Sequence, residues 1–198
     1  MIKAIIFDIY GVVIDRKMRF SERFSKEFDV PMEKIIPFFE NEFQLCLVGK
    51  ADLKEEVKKY LKNWGWEKSV EELLKYWFSQ EKNINQDMLL LVDKLRKSGI
   101  KCFLSTDNEK YITKFVLKDL ELEKRFDQYF ISNEIGFQKF QKEFWEYVIL
   151  KTGSIKKEYI LCLDDKQKNI DTARSLGFQA ELYLGFDWFK KVAEPLIK

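Results

Sequence analysis

No histidine occurs anywhere in the 198 residues. That absence removes Ser-His-Asp triads, imidazole metal sites and histidine acid–base chemistry together. Any catalysis must rest on carboxylates, lysine, hydroxyls or a metal held by oxygen. Cysteine is scarce too: Cys46, Cys102 and Cys162 are odd in number and lack C-x-x-C spacing, which argues against a disulfide framework. Cys102 and Cys162 lie in apolar, strand-like runs and read as small buried hydrophobes, so a reducing, cytoplasmic setting is expected. No apolar run nears the roughly 20 residues of a membrane span. Asp8 interrupts the N-terminal apolar stretch too early for a signal peptide, so no membrane association is expected. Neither charge sign dominates: 35 Lys and Arg face 33 Asp and Glu, for a net charge of +2. Acids and bases are mixed without a basic block, and nucleic acid is not an expected partner. What is present, 46% hydrophobic and 34% charged residues, specifies a soluble globule of one good-sized domain or one domain with an insertion.

The hydrophobic rhythm changes along the chain. Ile5-Ile6-Phe7 is a short apolar strand ending on Asp8. From about residue 16 to 84 four helices are predicted with no strand among them. Met18, Phe20, Phe24 and Phe28 share the first face, and Pro31 ends it. The second runs from about Met32 to Val48 and stops at Gly49. Asp52-Leu53-Lys54-Glu55 and Ser69-Val70-Glu71-Glu72 are capping boxes that open the third and fourth. Gly65 breaks the third after Trp64. Aromatics here are about as dense as the chain's 16% overall, and their helical spacing reads as bundle core rather than a stacking pocket. Lys50, after Gly49, reads as a solvated surface lysine.

From about residue 85 helices and strands alternate. Strands are expected at Lys101–Ser105, Tyr129–Ile131, Tyr159–Leu163 and Ala180–Leu184. Helices are expected before Gly99, from about Glu109, at about Lys142–Lys151, from about Asn169 to Gly177 and from about Asp187. Such alternation implies a parallel sheet covered on both faces. The fold class is therefore α/β, with a core of residues 1–15 and 85–198 and a helical insertion, 16–84, after the first strand.

Ligands of open parallel sheets sit at the C-terminal ends of the strands. Three predicted strands end there in polar residues: Asp8, then Ser105-Thr106, then Asp164-Asp165. Each alone is ordinary turn or capping chemistry. Together, if the strands are neighbours, they gather three carboxylates and a hydroxyl. Carboxylates so close repel unless a cation joins them, and an oxygen-only set favours Mg²⁺, an ion that usually travels with phosphate.

FDIYGVVID, LST, GFQK and LCLDDKQKNIDTARSLGF, in that order, resemble the four motifs of the haloacid dehalogenase-like (HAD) superfamily. The resemblance spans nearly the whole chain and is closest to the phosphatase-like branch with a small four-helix cap. It implies a HAD-like, Rossmann-like parallel-sheet core with a helical-bundle cap. It further implies that Asp8 is the nucleophile that forms an aspartyl-phosphate, with the Tyr10 backbone carbonyl, Asp8, Asp164 and Asp165 ligating Mg²⁺. Ser105 and the residue after it, Thr106, would hold the phosphoryl group of a small phosphorylated substrate. Lys139 would neutralise charge among Asp8 and the phosphate oxygens.

Three positions depart from that pattern. Tyr10 stands where most phosphatases of the family carry an acid–base Asp, Thr106 replaces an Asn, and Phe140 replaces a Pro. Tyr, with an unperturbed pKa of about 10, is a poor base near neutrality. Losing a positioned acid–base group lowers rates by about 10²–10⁴. Three readings stay open. The first is a Mg²⁺-dependent phosphatase slowed by Tyr10. The second is a non-catalytic phosphate-binding or interaction protein on the same fold. The third is a metal-independent 2-haloacid dehalogenase, which also has Tyr two residues after the nucleophile. Against the third stand Asp164-Asp165, which would repel an anionic haloacid, and the absence of Arg from residues 38–52.

Overall fold

In the computed structural model, which describes residues 1–16 and 18–197, the first apolar run and the four of the second half become a five-stranded parallel sheet. The strands are β1 (Ala4–Asp8), β2 (Lys101–Thr106), β3 (Gln128–Ile131), β4 (Ile160–Asp164) and β5 (Gln179–Leu182), ordered β3-β2-β1-β4-β5. β1 lies in the middle, in register with Asp8 beside Ser105 and Phe7 beside both Leu104 and Leu163. Its five residues are all buried, as a central parallel strand requires.

Strand alternation divides the sheet into two apolar faces. Ile5, Phe7, Cys102, Leu104, Leu161 and Leu163 point to one side, into a cluster with Met88, Val92 and Leu95 of α6 (Gln86–Lys97) and Phe189 of α11 (Phe186–Ala193). Ala4, Ile6, Phe103, Ile160 and Cys162 point to the other, toward Phe144, Trp145 and Val148 of α9 (Lys142–Lys151) and Ile170 and Ala173 of α10 (Gln167–Ser175). The expected sheet covered on both faces is thus realised. The three cysteines are free and buried.

The insertion is helical, but in more pieces than the four helices expected. Its segments are α1 (Phe20–Phe28), α2 (Met32–Glu40), α3 (Glu42–Leu47), α4 (Leu53–Lys58) and α5 (Val70–Phe78). The stretch expected as one helix over 32–48 breaks at Asn41, whose amide nitrogen and backbone N–H both donate to the Pro37 carbonyl, at 2.8 and 3.1 Å. A side chain bonding its own backbone in this way competes with the regular helix. α4 stops six residues short of the expected Trp64, and turns carry the chain from Lys59 to Gly65. Ser69 forms its capping box with Glu72. Asp52 caps α4 through Lys54 and Glu55 N–H groups, but no reciprocal bond from the Glu55 side chain is found among the described residues. The aromatics pack as core: Phe20 stacks on Trp77 with ring centroids 4.3 Å apart, and Phe24, Phe38 and Trp64 are fully enclosed. Among the described residues no helix is long and apolar enough to cross a membrane.

Two short helices complete the core: α7 (Lys110–Lys114), which runs on into a π turn at Phe115–Asp119, and α8 (Ser132–Ile135), a single turn not anticipated from the sequence.

Candidate active site

Parity along the strands builds the site. Asp8, Ser105 and Asp164 continue the series Ala4-Ile6, Phe103 and Ile160-Cys162, so all three emerge on one face at the C-terminal end of the sheet. Thr106 belongs to the opposite series and leaves on the other face. All four are almost fully buried. Asp165, one residue beyond β4, is exposed, yet one carboxylate oxygen from each of Asp8, Asp164 and Asp165 fits within a 4.8 Å spread. Gly11 permits this closeness. Its φ is +89°, and a Cβ there would lie 2.5 Å from Asp165 Oδ2.

Lys139 joins the strand ends. Its ammonium donates to Asp8 Oδ1 and, at 2.6 Å, to Asp164 Oδ2. It is 1% exposed, as rare a burial for lysine as this pairing makes tolerable. Its loop is pinned on both sides: the Lys139 N–H donates to Asp107 Oδ1 at 2.9 Å, and the Trp145 indole N–H donates to the Lys139 carbonyl at 2.6 Å. Asn169 Nδ2 donates to both Asp164 oxygens at 3.1 and 3.0 Å, and the Lys166 N–H adds a third donor at 2.9 Å. Asp164 is therefore held rigidly, whereas Asp165 faces solvent.

The charges do not balance, since three carboxylates face one ammonium. Burial pushes the Asp8 carboxyl up to about 7; Lys139 opposes the rise, and Asp164 and Asp165 add to it. For Lys139 burial works against the charge, but Asp164 and Asp8 more than offset it and leave the pKa raised. An oxygen-only donor set with excess negative charge fits a hard divalent cation.

Tyr10 lies beyond this group. The Arg16 guanidinium stacks 3.9 Å from its ring centroid, and Arg16 in turn is paired at 3.1 Å with buried Glu81. Burial above all, then Glu81, drives the phenol well above its ordinary pKa. Among the described residues neither the phenol oxygen nor the buried Asn108 Nδ2 makes a well-aligned hydrogen bond, although the two side chains lie close enough to act on one another. The Tyr10 phenol is thus neutral and sealed.

The structure brings Asp8, Asp164, Asp165 and Lys139 into one cluster with Ser105 on the same face, sends Thr106 to the opposite face, and packs the Tyr10 ring under Arg16. Sequence reasoning did not single out Asp107, Asn108, Arg16 or Glu81. Asp107 and Asn108 directly follow Ser105-Thr106, and their place at a strand end was the signal for them.

Known proteins agree with this architecture. A phosphorylated carbohydrates phosphatase of Thermotoga maritima is 23% identical over 185 residues, 89% of this chain and 82% of its own. A predicted HAD-like family hydrolase from Porphyromonas gingivalis superposes with a TM-score of 0.81 at 23% identity, covering 100% of this chain and 99% of its own. A HAD family enzyme of Bacteroides thetaiotaomicron, in complex with magnesium and inorganic phosphate, gives 0.82 at 24% identity, covering 96% and 99%. The model of the haloacid dehalogenase-like hydrolases matches residues 5–181, from the first buried strand through nearly all of the last, and the chain belongs to that family.

Proposed function

We propose that the protein is a phosphatase of a small phosphorylated metabolite, working through an aspartyl-phosphate on Asp8. The observation that carries this reading is Lys139 clamped between Asp8 and Asp164 with Asp165 beside them. Phosphoryl transfer asks mainly for positioning and charge cancellation, and this cluster offers both. An Asp8 carboxylate oxygen attacks phosphorus as the bond to the leaving oxygen breaks. Water then attacks phosphorus, releases inorganic phosphate and restores the carboxylate. Lys139 cancels charge on Asp8 and on the phosphoryl oxygens, while Ser105 and the backbone after it orient the group. Asp8, Asp164, Asp165 and the Tyr10 backbone carbonyl would hold Mg²⁺, which supplies charge neutralisation for the phosphoryl oxygens. The relatives support this: one is named for phosphorylated carbohydrates and another was solved with magnesium and phosphate.

Helices α1–α5, residues 16–84, act in this reading as a cap over the core of residues 1–15 and 85–198. Tyr10 cannot take a proton from water at neutral pH, so turnover favours leaving groups that depart without help, such as anomeric, acyl or aryl phosphates. That same residue favours a second reading, a phosphate binder without turnover. A metal-free haloacid dehalogenase fits less well, because Asp164 and Asp165 lie beside Asp8 where an anionic haloacid would have to bind.

The test is phosphate release from an aryl phosphate and a panel of phosphorylated metabolites with Mg²⁺, run on wild type and Asp8→Asn in parallel. Release by wild type alone is expected. Release no faster than the variant's would leave the binder reading, and halide release from 2-chloropropionate without metal would favour the dehalogenase.

A further inference from the structure

We propose that Gln44, in the first turn of α3, is a positioning residue for Lys139: acting through Gln138, it makes the seating of the helical insertion a condition for the lysine to stand where phosphoryl transfer needs it. The proposal rests on the phosphatase reading for what Lys139 does and adds how the insertion controls it.

The loop that carries Lys139, residues 136–141, is tied down mainly by the core. Asp107 Oδ1 accepts from the Lys139 N–H at 2.9 Å, and the Trp145 indole N–H donates to the Lys139 carbonyl at 2.6 Å. Thr172 Oγ1 donates to the Phe140 carbonyl at 3.2 Å. Gln138 and Gln141 close the loop on itself, each backbone N–H meeting an oxygen of the other at 2.9 Å. One bond runs elsewhere. Gln138 Nε2 donates to Gln44 Oε1 at 3.0 Å, across 94 positions of chain. Among the described residues it is the only hydrogen bond between this loop and residues 16–84. Gln44 is held ready for it. Its own Nε2 donates to the Phe39 carbonyl at 2.7 Å, which turns Oε1 toward Gln138. The helix break at Asn41 starts α3 afresh, with the Gln44 N–H on the Asn41 carbonyl at 3.1 Å, and α3 packs on α8, the turn that leads into the Lys139 loop.

The rest of the same segment seats the insertion on the chain that flanks the site. The Ser132 hydroxyl donates to the Leu47 carbonyl at 2.6 Å, and Gly49 lies bare against the Asn133 carbonyl. Asp52 accepts from the Tyr111 hydroxyl at 2.9 Å and from Lys110 Nζ at 2.5 Å. Among the described residues Asp52–Lys110 is the only ion pair that joins residues 16–84 to the rest of the chain. Residues 44–52 thus clasp the core along one seam, and only Gln44 reaches the lysine loop. Lys139 is 1% exposed, so a phosphate ester reaches it when the insertion lifts. Lifting withdraws Gln44 and frees the loop on that side; closing restores the bond. The ammonium matters most where charge develops in the transition state, so a displaced Lys139 slows chemistry more than it weakens binding. An open insertion leaves the nucleophile present and its charge partner loose, which couples closure to reaction.

The experiment uses wild type, Gln44→Met, Gln138→Met and the double variant, which keep side-chain length and remove the bond. Circular dichroism checks that each is folded. Each protein is treated briefly with an acetylating succinimidyl ester, and mass spectrometry reads acetylation of Lys139 relative to exposed Lys142. Either single substitution should raise that ratio by about two- to tenfold, the effect of one hydrogen bond. The double variant should go no further, because both substitutions remove the same bond. With an aryl phosphate and Mg²⁺, kcat should fall by a similar factor while KM stays near the wild-type value. Gln138→Met, on the core side, remains decisive if Gln44→Met does not fold. An unchanged labelling ratio, effects that multiply in the double variant, or a rise in KM with kcat intact would overturn the proposal and leave the bond as a stitch in the seam. Labelling needs no turnover. A raised ratio in a protein whose wild type releases no phosphate would sink the phosphatase reading alone, and release with an unchanged ratio would sink only the role of Gln44.

Discussion

Lys139 concentrates the site's electrostatics in one side chain. It is buried between two carboxylates, and desolvation of three charges is tolerable only because each finds a partner at hydrogen-bond distance. Lys139→Met keeps the volume but leaves Asp8 and Asp164 facing each other uncompensated. Phosphate release at saturating Mg²⁺ should fall by about 10²–10³, the usual effect of losing one preorganised charge stabiliser. A variant within twofold of wild type would show that the cation alone neutralises the site. Lys139, Asp8 and the double aspartate were legible in the sequence because each stands at a fixed point of a recognisable motif. Arg16 and Glu81 were not, because nothing in local spacing announces a stacking contact or a long-range ion pair. Arg16 and Glu81 meet across 65 positions of chain.

At the scale of the element, α7 shows how burial changes an ordinary cap. The sequence places a helix start near Glu109, and the structure uses the Glu109 carboxylate as the cap, accepting from Tyr111 N–H at 2.8 Å and Ile112 N–H at 2.6 Å. Burial raises this carboxyl from 4.5 to about 7, although the two backbone N–H groups hold it down. The folded state then binds the proton more tightly than the unfolded chain does. Its contribution is complete below pH 4.5 and is lost as pH rises through about 7. Glu109→Gln keeps an acceptor oxygen and does not titrate. Urea midpoints measured across that window should therefore fall less steeply with pH in the variant than in wild type. Parallel slopes would assign the pH dependence to other groups. The insertion teaches a different lesson. Periodicity over 32–48 is continuous, yet α2 and α3 are separate because Asn41 turns back onto Pro37, a competition that apolar spacing does not register.

At the scale of the molecule, three apolar clusters are joined by polar contacts. Two cover the faces of the sheet, and the third fills the helices of the insertion. The chain segments leading in and out of the insertion pair side by side: Ile14 bridges Ile84, Asn85 N–H donates to the Val13 carbonyl and Asp15 N–H to the Asn83 carbonyl, both at 2.9 Å. Ser132 is a second tie. Its hydroxyl donates to the Leu47 carbonyl at 2.6 Å and accepts from the Asn108 N–H. Gly49 is required nearby, because its φ is +70° and any side chain would strike the Asn133 carbonyl. Ser132→Ala strands two buried backbone groups and should lower unfolding stability by about 1–3 kcal/mol, read from urea midpoints. An unchanged midpoint would mean that water replaces the hydroxyl.

Much of this protein was already determined by its sequence. Strand and helix periods specify an α/β sheet, and the total absence of histidine confines the chemistry to carboxylates, lysine and hydroxyls. Motif order places Asp8, Asp164 and Asp165 at strand ends and Lys139 in the loop after the third strand. These are local properties, written in spacing and residue type. Tertiary structure decided the rest: which polar residues share a face, that Lys139 bridges two strands, and that Tyr10 lies sealed beneath Arg16. Burial and pairing arise only when distant segments meet, and those two quantities set every charge and every hydrogen bond in the site.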